Sequence, residues 1–205
     1  MSAVDTRAMT ARVLNDDTHR LLIETGLFAL LERAFGEPMV AGSAGYDLMI
    51  RRQIDIWMPF EAERASEFVG FGHELVTLFA QAGPGLPAAS FFNAYLRPHP
   101  LGSGFNWQLD FSDAGGHAWI IDLWAFEPFD FAVRQARDFA FRTDLLTLDR
   151  DTILRLKTEA RDRGGDYYGA RVSAWDIYQF VRAGVGDSLG ALEMWKARQP
   201  LVGLS

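Results

Sequence analysis

The segment Pro38–Met58, PMVAGSAGYDLMIRRQIDIWM, restricts the possible folds more than any other part of the chain. The apolar triplet Met39–Ala41 runs into Gly42-Ser43, and a short connector leads to Gln53–Met58, where polar and apolar residues alternate. A period of two places Gln53, Asp55 and Trp57 on one face of a strand and Ile54, Ile56 and Met58 on the other. Such a strand belongs in a sheet with one covered face and one polar face. Pro59 closes it, because proline cannot donate to a ladder.

The flanks supply helices to cover that sheet. Asp17 or Thr18 is the expected cap of a helix carrying Leu21, Leu22, Phe28, Leu31 and Phe35. Gly36 and Pro38 stop it, and residues 1–16 read as frayed or loosely helical. Residues 61–82 have helical period, with Ala65, Phe68, Phe71, Gly72, Leu75, Val76 and Phe79 on one side. Three β segments follow at Ser90–Arg97, Phe105–Phe111 and Ala118–Phe126, the last two joined as a hairpin through Asp113–His117. Beyond Pro128 the pattern is helical: Phe131–Leu146, Asp151–Arg163, Ser173–Val181 and Ser188–Ala197. Asp151 caps one of these, and Ser173 with Asp176 starts another. The expected fold is therefore α+β: a mixed sheet flanked by helices over residues 1–127, then an all-helical subdomain over residues 128–205.

Composition narrows the function. With 205 residues and 49% apolar content the chain can bury one substantial core. A net charge of −7 disfavours broad nucleic-acid binding, which needs a basic face. The absence of cysteine removes disulfides, thiolate metal sites and a cysteine nucleophile. No apolar run has the length of a membrane span, and the first residues lack a signal-peptide core, so a cytoplasmic protein is expected. The aromatic residues between Phe91 and Phe141 permit a homodimer.

A strand ending in Gly42-Ser43 before a helical turn can cradle a phosphate: glycine lets the backbone approach an anion and the serine hydroxyl donates to it. Asp55 lies twelve residues on. It either pairs with Arg51 or Arg52 or holds a metal. Asp122, in WIIDLW, sits among apolar neighbours on a strand, where a charge needs a partner. That partner is an arginine such as Arg97, backbone donors, or a cation. Mg2+ prefers hard oxygen ligands and bridges carboxylates to substrate phosphates. Asp110 shares a sheet face with Asp122 if the hairpin turn is Ala114-Gly115-Gly116; a Gly115-Gly116 turn puts them on opposite faces. His73 reads as packed and His117 as exposed. Asp166–Arg171, DYYGAR, reads as a loop that either brings two tyrosines near the cleft side or is ordinary surface.

Together, Gly42-Ser43, the Ile54-Asp55-Ile56 strand and a later strand with an isolated Asp122 resemble the DNA polymerase beta-like nucleotidyltransferase superfamily over roughly residues 20–127. Members carry Gly-Ser, an Asp-x-Asp pair on the next strand, and a third acid on a neighbouring strand. Asp55 matches the second acid of the pair and Asp122 the third. Gln53 stands where the first belongs, with Asp47 and Asp110 as candidate substitutes. The resemblance implies NTP held at Gly42 and Ser43, and Mg2+ (or Mn2+) held by Asp55 and Asp122, the two catalytic carboxylates. It also implies transfer of a nucleoside monophosphate to a hydroxyl acceptor. With Gln53, the alternative is a catalytically degenerate module that binds nucleotide or a partner.

Overall fold

The computed structural model describes residues 3–97 and 99–199. Its centre is a five-stranded mixed sheet in the order β1-β2-β5-β4-β3. The strands are β1 (Met39–Ala41), β2 (Gln53–Pro59), β3 (Ala88–Asn93), β4 (Phe105–Ser112) and β5 (Ala118–Phe126). β1 runs antiparallel to β2, β2 parallel to β5, and β5–β4–β3 form an antiparallel meander. Among the described residues there are eight α-helices: α1 (Ala3–Glu24), α2 (Leu27–Phe35), the short turn α3 (Gly42–Gly45), α4 (Ala65–Ala82), α5 (Pro128–Leu145), α6 (Arg150–Asp162), α7 (Ala174–Ala183) and α8 (Leu189–Arg198). The fold is α+β, a mixed sheet with flanking helices followed by a helical C-terminal part. No described helix is long and apolar enough to cross a membrane.

The expected alternation along β2 is present. Ile54, Ile56 and Met58 are fully buried, while Gln53, Asp55 and Trp57 keep part of their surface. Ile121 and Leu123 of β5 and Leu109 of β4 extend the covered face, which α2 and α4 close with Leu27, Leu31, Phe68, Phe71, Leu75 and Phe79. Close approach of α4 depends on glycine. A Cβ at Gly72 would lie 2.2 Å from the Trp107 ring, whose Nε1 donates to the Phe68 carbonyl (2.8 Å).

A second core forms among α5–α8, from Phe141, Ile153, Leu156, Ile177, Phe180 and Leu192. It also takes in Ala11 of α1 and Leu48 and Ile50 from the connector before β2. Residues 3–16 are therefore regular helix rather than frayed. Packing on α6 and the Arg7–Asp151 ion pair (3.0 Å) order a stretch that composition alone leaves weak. Asp17 and Thr18 lie inside α1, and the helix divides at Gly26 (φ 72°), so two helices stand where one is expected. Asp149, not Asp151, caps α6. Ser173 and Asp176 form the expected capping box on α7. β3 begins and ends earlier than its pattern indicates, and exposed Arg97 lies beyond it. His73 is exposed rather than packed, as is His117.

Candidate functional site

The sheet register builds the site. Ala41 at the end of β1 pairs with Asp55, and Asp55 pairs with Asp122 across the parallel β2–β5 ladder. The chain leaves β1 directly into Gly42-Ser43, so the turn and both acids meet at one place. Gly42 is left-handed (φ 59°), and a Cβ there would lie 2.8 Å from Asp55 Oδ2. Only glycine lets this backbone press against the carboxylate.

The hairpin adopts the three-residue-turn register: Asp113 faces His117, Gln108 faces Asp122 and Asp110 faces Ile120. The open face thus carries two transverse rows. One is Ser90–Gln108–Asp122–Asp55; the next is Ala88–Asp110–Ile120–Gln53. Asp110 shares the face of Asp122 but stands one row away, exposed. Asp47 is directed elsewhere, paired with Arg150 (2.9 Å). No cluster of three acids or other metal-ligand side chains occurs among the described residues.

Gln53 Nε2 donates to Asp122 Oδ2 (2.9 Å), so Asp122 meets this amide rather than Arg97. Burial raises Asp122, with Asp110 adding to the shift and the Gln53 bond opposing it. Burial and then the adjacent Asp122 push Asp55 up to about 7, against the pull of Arg51 and Lys157. Two neighbouring carboxylates that resist ionisation favour a cation between them. The donor set fits one divalent ion, with two carboxylates from the protein and the other positions left for water or ligand oxygens.

Sequence reasoning missed the residues that close the site from the helical side. Lys157 of α6 is fully buried and donates from Nζ to Ser43 Oγ (2.7 Å), to the Tyr178 hydroxyl (3.1 Å) and to the Leu48 carbonyl. Burial, then the charge of Arg51, push its ammonium down to about 7, while Asp55 pulls it up. Ser43 Oγ also lies 3.2 Å from the Tyr178 hydroxyl. A serine that accepts from Lys157 keeps its own proton to donate. The one available signal was position: Lys157 interrupts the apolar stripe Ile153, Leu156 and Ala160 at helical spacing.

The turn is held in place by Arg142 of α5. Its guanidinium donates to the carbonyls of Val40 (2.6 Å) and Gly45 (2.8 Å) and to Asp138 (2.6 Å), which also accepts from the Tyr46 hydroxyl (2.6 Å). Of the two readings of the loop, the wide turn Tyr167–Arg171 takes the cleft-side one. Tyr168 stacks under Arg51 (5.4 Å) and, with Gly169, Ser173 and Ala174, faces Ser43, Arg51, Gln53 and Asp55 across a cavity of about 140 Å3. Burial raises the Tyr168 phenol, so it stays a neutral donor.

By sequence, the chain matches no protein-family model and no curated protein. By structure, it is similar to a mutant of the Cid1 poly(U) polymerase bound to MgATP, with TM-score 0.47 and 13% identity. The match covers 74% of this chain and 44% of that one, so it spans under half of the polymerase's length.

Proposed function

We propose that the protein is a nucleotidyltransferase-like enzyme that binds an NTP with Mg2+ and transfers its nucleoside monophosphate to a hydroxyl acceptor. The observation that carries this reading is that Ser43 and Asp55 line one cavity, with Gly42 pressed against Asp55 and Asp122 in register with Asp55 on the neighbouring strand. The cavity has room for a phosphate group and its counterions rather than a whole nucleotide, so the nucleoside extends beyond it.

In this reading the acceptor hydroxyl oxygen attacks the α-phosphorus. The bond from that phosphorus to the bridging oxygen breaks, and pyrophosphate leaves with its electron pair. Asp122 takes the hydroxyl proton. Ser43 donates to a phosphate oxygen while Lys157 holds its hydroxyl in place. Arg51, close in chain and space to both acids, offers a guanidinium to the developing negative charge. Asp55 and Asp122 would hold the metal ion, which supplies charge neutralisation at the phosphates. Tyr168 and α7 wall off water.

The Gln53–Asp122 hydrogen bond supports a second reading, a module that binds nucleotide without turnover, since it occupies a carboxylate oxygen a metal would use. Incubation with each NTP and Mg2+ or Mn2+ separates the two. The enzyme reading expects metal-dependent binding with pyrophosphate release; the module expects binding alone, with activity gained in Gln53→Asp. No metal-dependent NTP binding, with wild type and Asp55→Asn alike, would remove both.

A further inference from the structure

A second cavity, about 670 Å3, opens at the end of the sheet where β2, β3 and β5 begin and β4 ends. It is several times larger than the first and of a size that takes a small molecule. Arg51 lines both cavities. The second also includes Arg52 and Leu86, together with Ala88, Asp110 and Ile120 from the row of the open face beside the one carrying Asp55 and Asp122.

Its polar groups are incompletely used. Arg51 stacks on Tyr168 but makes no hydrogen bond or ion pair from its guanidinium among the described residues. Arg52 bonds Asp17 (2.9 Å) and lies over Trp119 (5.6 Å), yet its Nε is buried without a hydrogen-bond partner. Both arginines line the cavity: Arg51 has guanidinium donors to spare, and Arg52, paired with Asp17, adds positive charge beside it, a setting suited to a planar or tetrahedral oxyanion. Asp110, exposed on the same rim, can accept from a hydroxyl. Exposed Leu86 and Ala88 offer apolar contact for a carbon skeleton.

We infer that this cavity binds the acceptor, and that the acceptor is a small molecule bearing a hydroxyl and an anionic phosphate or carboxylate. The inference rests on the nucleotidyltransferase reading for the word acceptor, but not for the anion site itself. Arg51 and Arg52 hold the anion, Asp110 orients a hydroxyl, and the sheet face leads from Asp110 across Ile120 and Gln53 to Asp122. A finite cavity on a chain of net charge −7 favours a compact anion over a long polyanion such as RNA.

The test is an amide-shift titration of the full 15N-labelled chain with glycerol 3-phosphate, with glycerate and with neutral glycerol. The expected result is saturable shifts at Leu86, Ala88, Asp110 and Ile120 for at least one anion and none for glycerol. The stronger anion identifies the oxyanion recognised. Ala88→Glu, an exposed position on an edge strand, places a carboxylate at the rim. It should weaken anion binding by at least about tenfold while Mg2+-ATP still shifts Ser43 and Asp55. Absence of saturation with both anions overturns the inference, as do equal shifts with glycerol, indifference to Ala88→Glu, or displacement of the anion by Mg2+-ATP. Anion binding without any Mg2+-ATP shift overturns the acceptor role through failure of the nucleotide reading, and is distinguished by intact shifts at Asp110.

Discussion

The two faces of the sheet are built from the same strands and obey opposite rules. On the covered face Ile54, Ile56, Met58, Ile121 and Leu123 exclude water entirely. On the open face Gln53, Asp55, Gln108, Asp110 and Asp122 crowd five polar side chains, three of them acids, into two rows. The first face gains stability from every side chain it hides. The second spends some of it: Asp55, and Lys157 of α6 that packs over the same end of the sheet, are held where their charged forms are disfavoured. Such placement is uncommon where only folding is served, and it supports the proposal that the open face is the functional one.

Substitutions separate the faces. The largest expected effect is on the covered side, where Leu123→Ala should cost about 2–5 kcal/mol in chemical denaturation. Metal and nucleotide affinity of the folded fraction should stay unchanged; a matched loss of affinity would show that the faces are coupled.

Next is Lys157→Met. The folded pKa of Lys157 lies below its unfolded value, so the stability linked to it is present above about pH 10.5 and lost as pH falls through about 7. The stability gap between wild type and variant should move in the variant's favour by on the order of 3–5 kcal/mol between pH 10 and pH 7. A pH-independent gap would mean the ammonium is solvated.

Asp55→Asn probes the open face directly. The folded pKa of Asp55 lies above its unfolded value, so the linked stability is present below about pH 3.8 and lost as pH rises through about 7. At pH 8 the variant should gain roughly 1–3 kcal/mol over its difference from wild type at pH 4, after discounting for the open part of the side chain. It should also lack the thermal shift that the proposed function expects Mn2+ with NTP to give the wild type.

The smallest effect belongs to Ser43→Ala, at about 1 kcal/mol, with a larger proportional loss in NTP affinity. An equal loss in both would make Ser43 purely a partner for Lys157.

How much of this could be read from residues follows the same division. The covered face announces itself by alternation, and β1, β2 and β5 fall where the pattern puts them. Ser43, Asp55 and Asp122 stood out because polar groups between apolar runs are costly unless used. Which turn the hairpin takes was open, since Gly115 and Gly116 suit either; Asp113 settles it by accepting from the His117 amide (2.9 Å) and Trp119 Nε1 (2.9 Å). The helical wall was hidden for a different reason. Lys157, Tyr178 and Arg142 are polar tips on amphipathic helices, and periodicity reports which stripe is buried but not what it is buried against. Tyr168 was obscured further by an irregular turn without any period.

The clamp on the Gly42–Ser43 turn has a kinetic consequence. Arg142 reaches back about a hundred positions to Val40 and Gly45, Lys157 reaches further to Ser43, and Tyr178 further still. β2 likewise waits for β5 to arrive before it has a parallel neighbour. On a ribosome, the acids and the serine are therefore synthesised early and left unassembled until α7 has emerged. The cleft takes its finished shape only after most of the chain has been made.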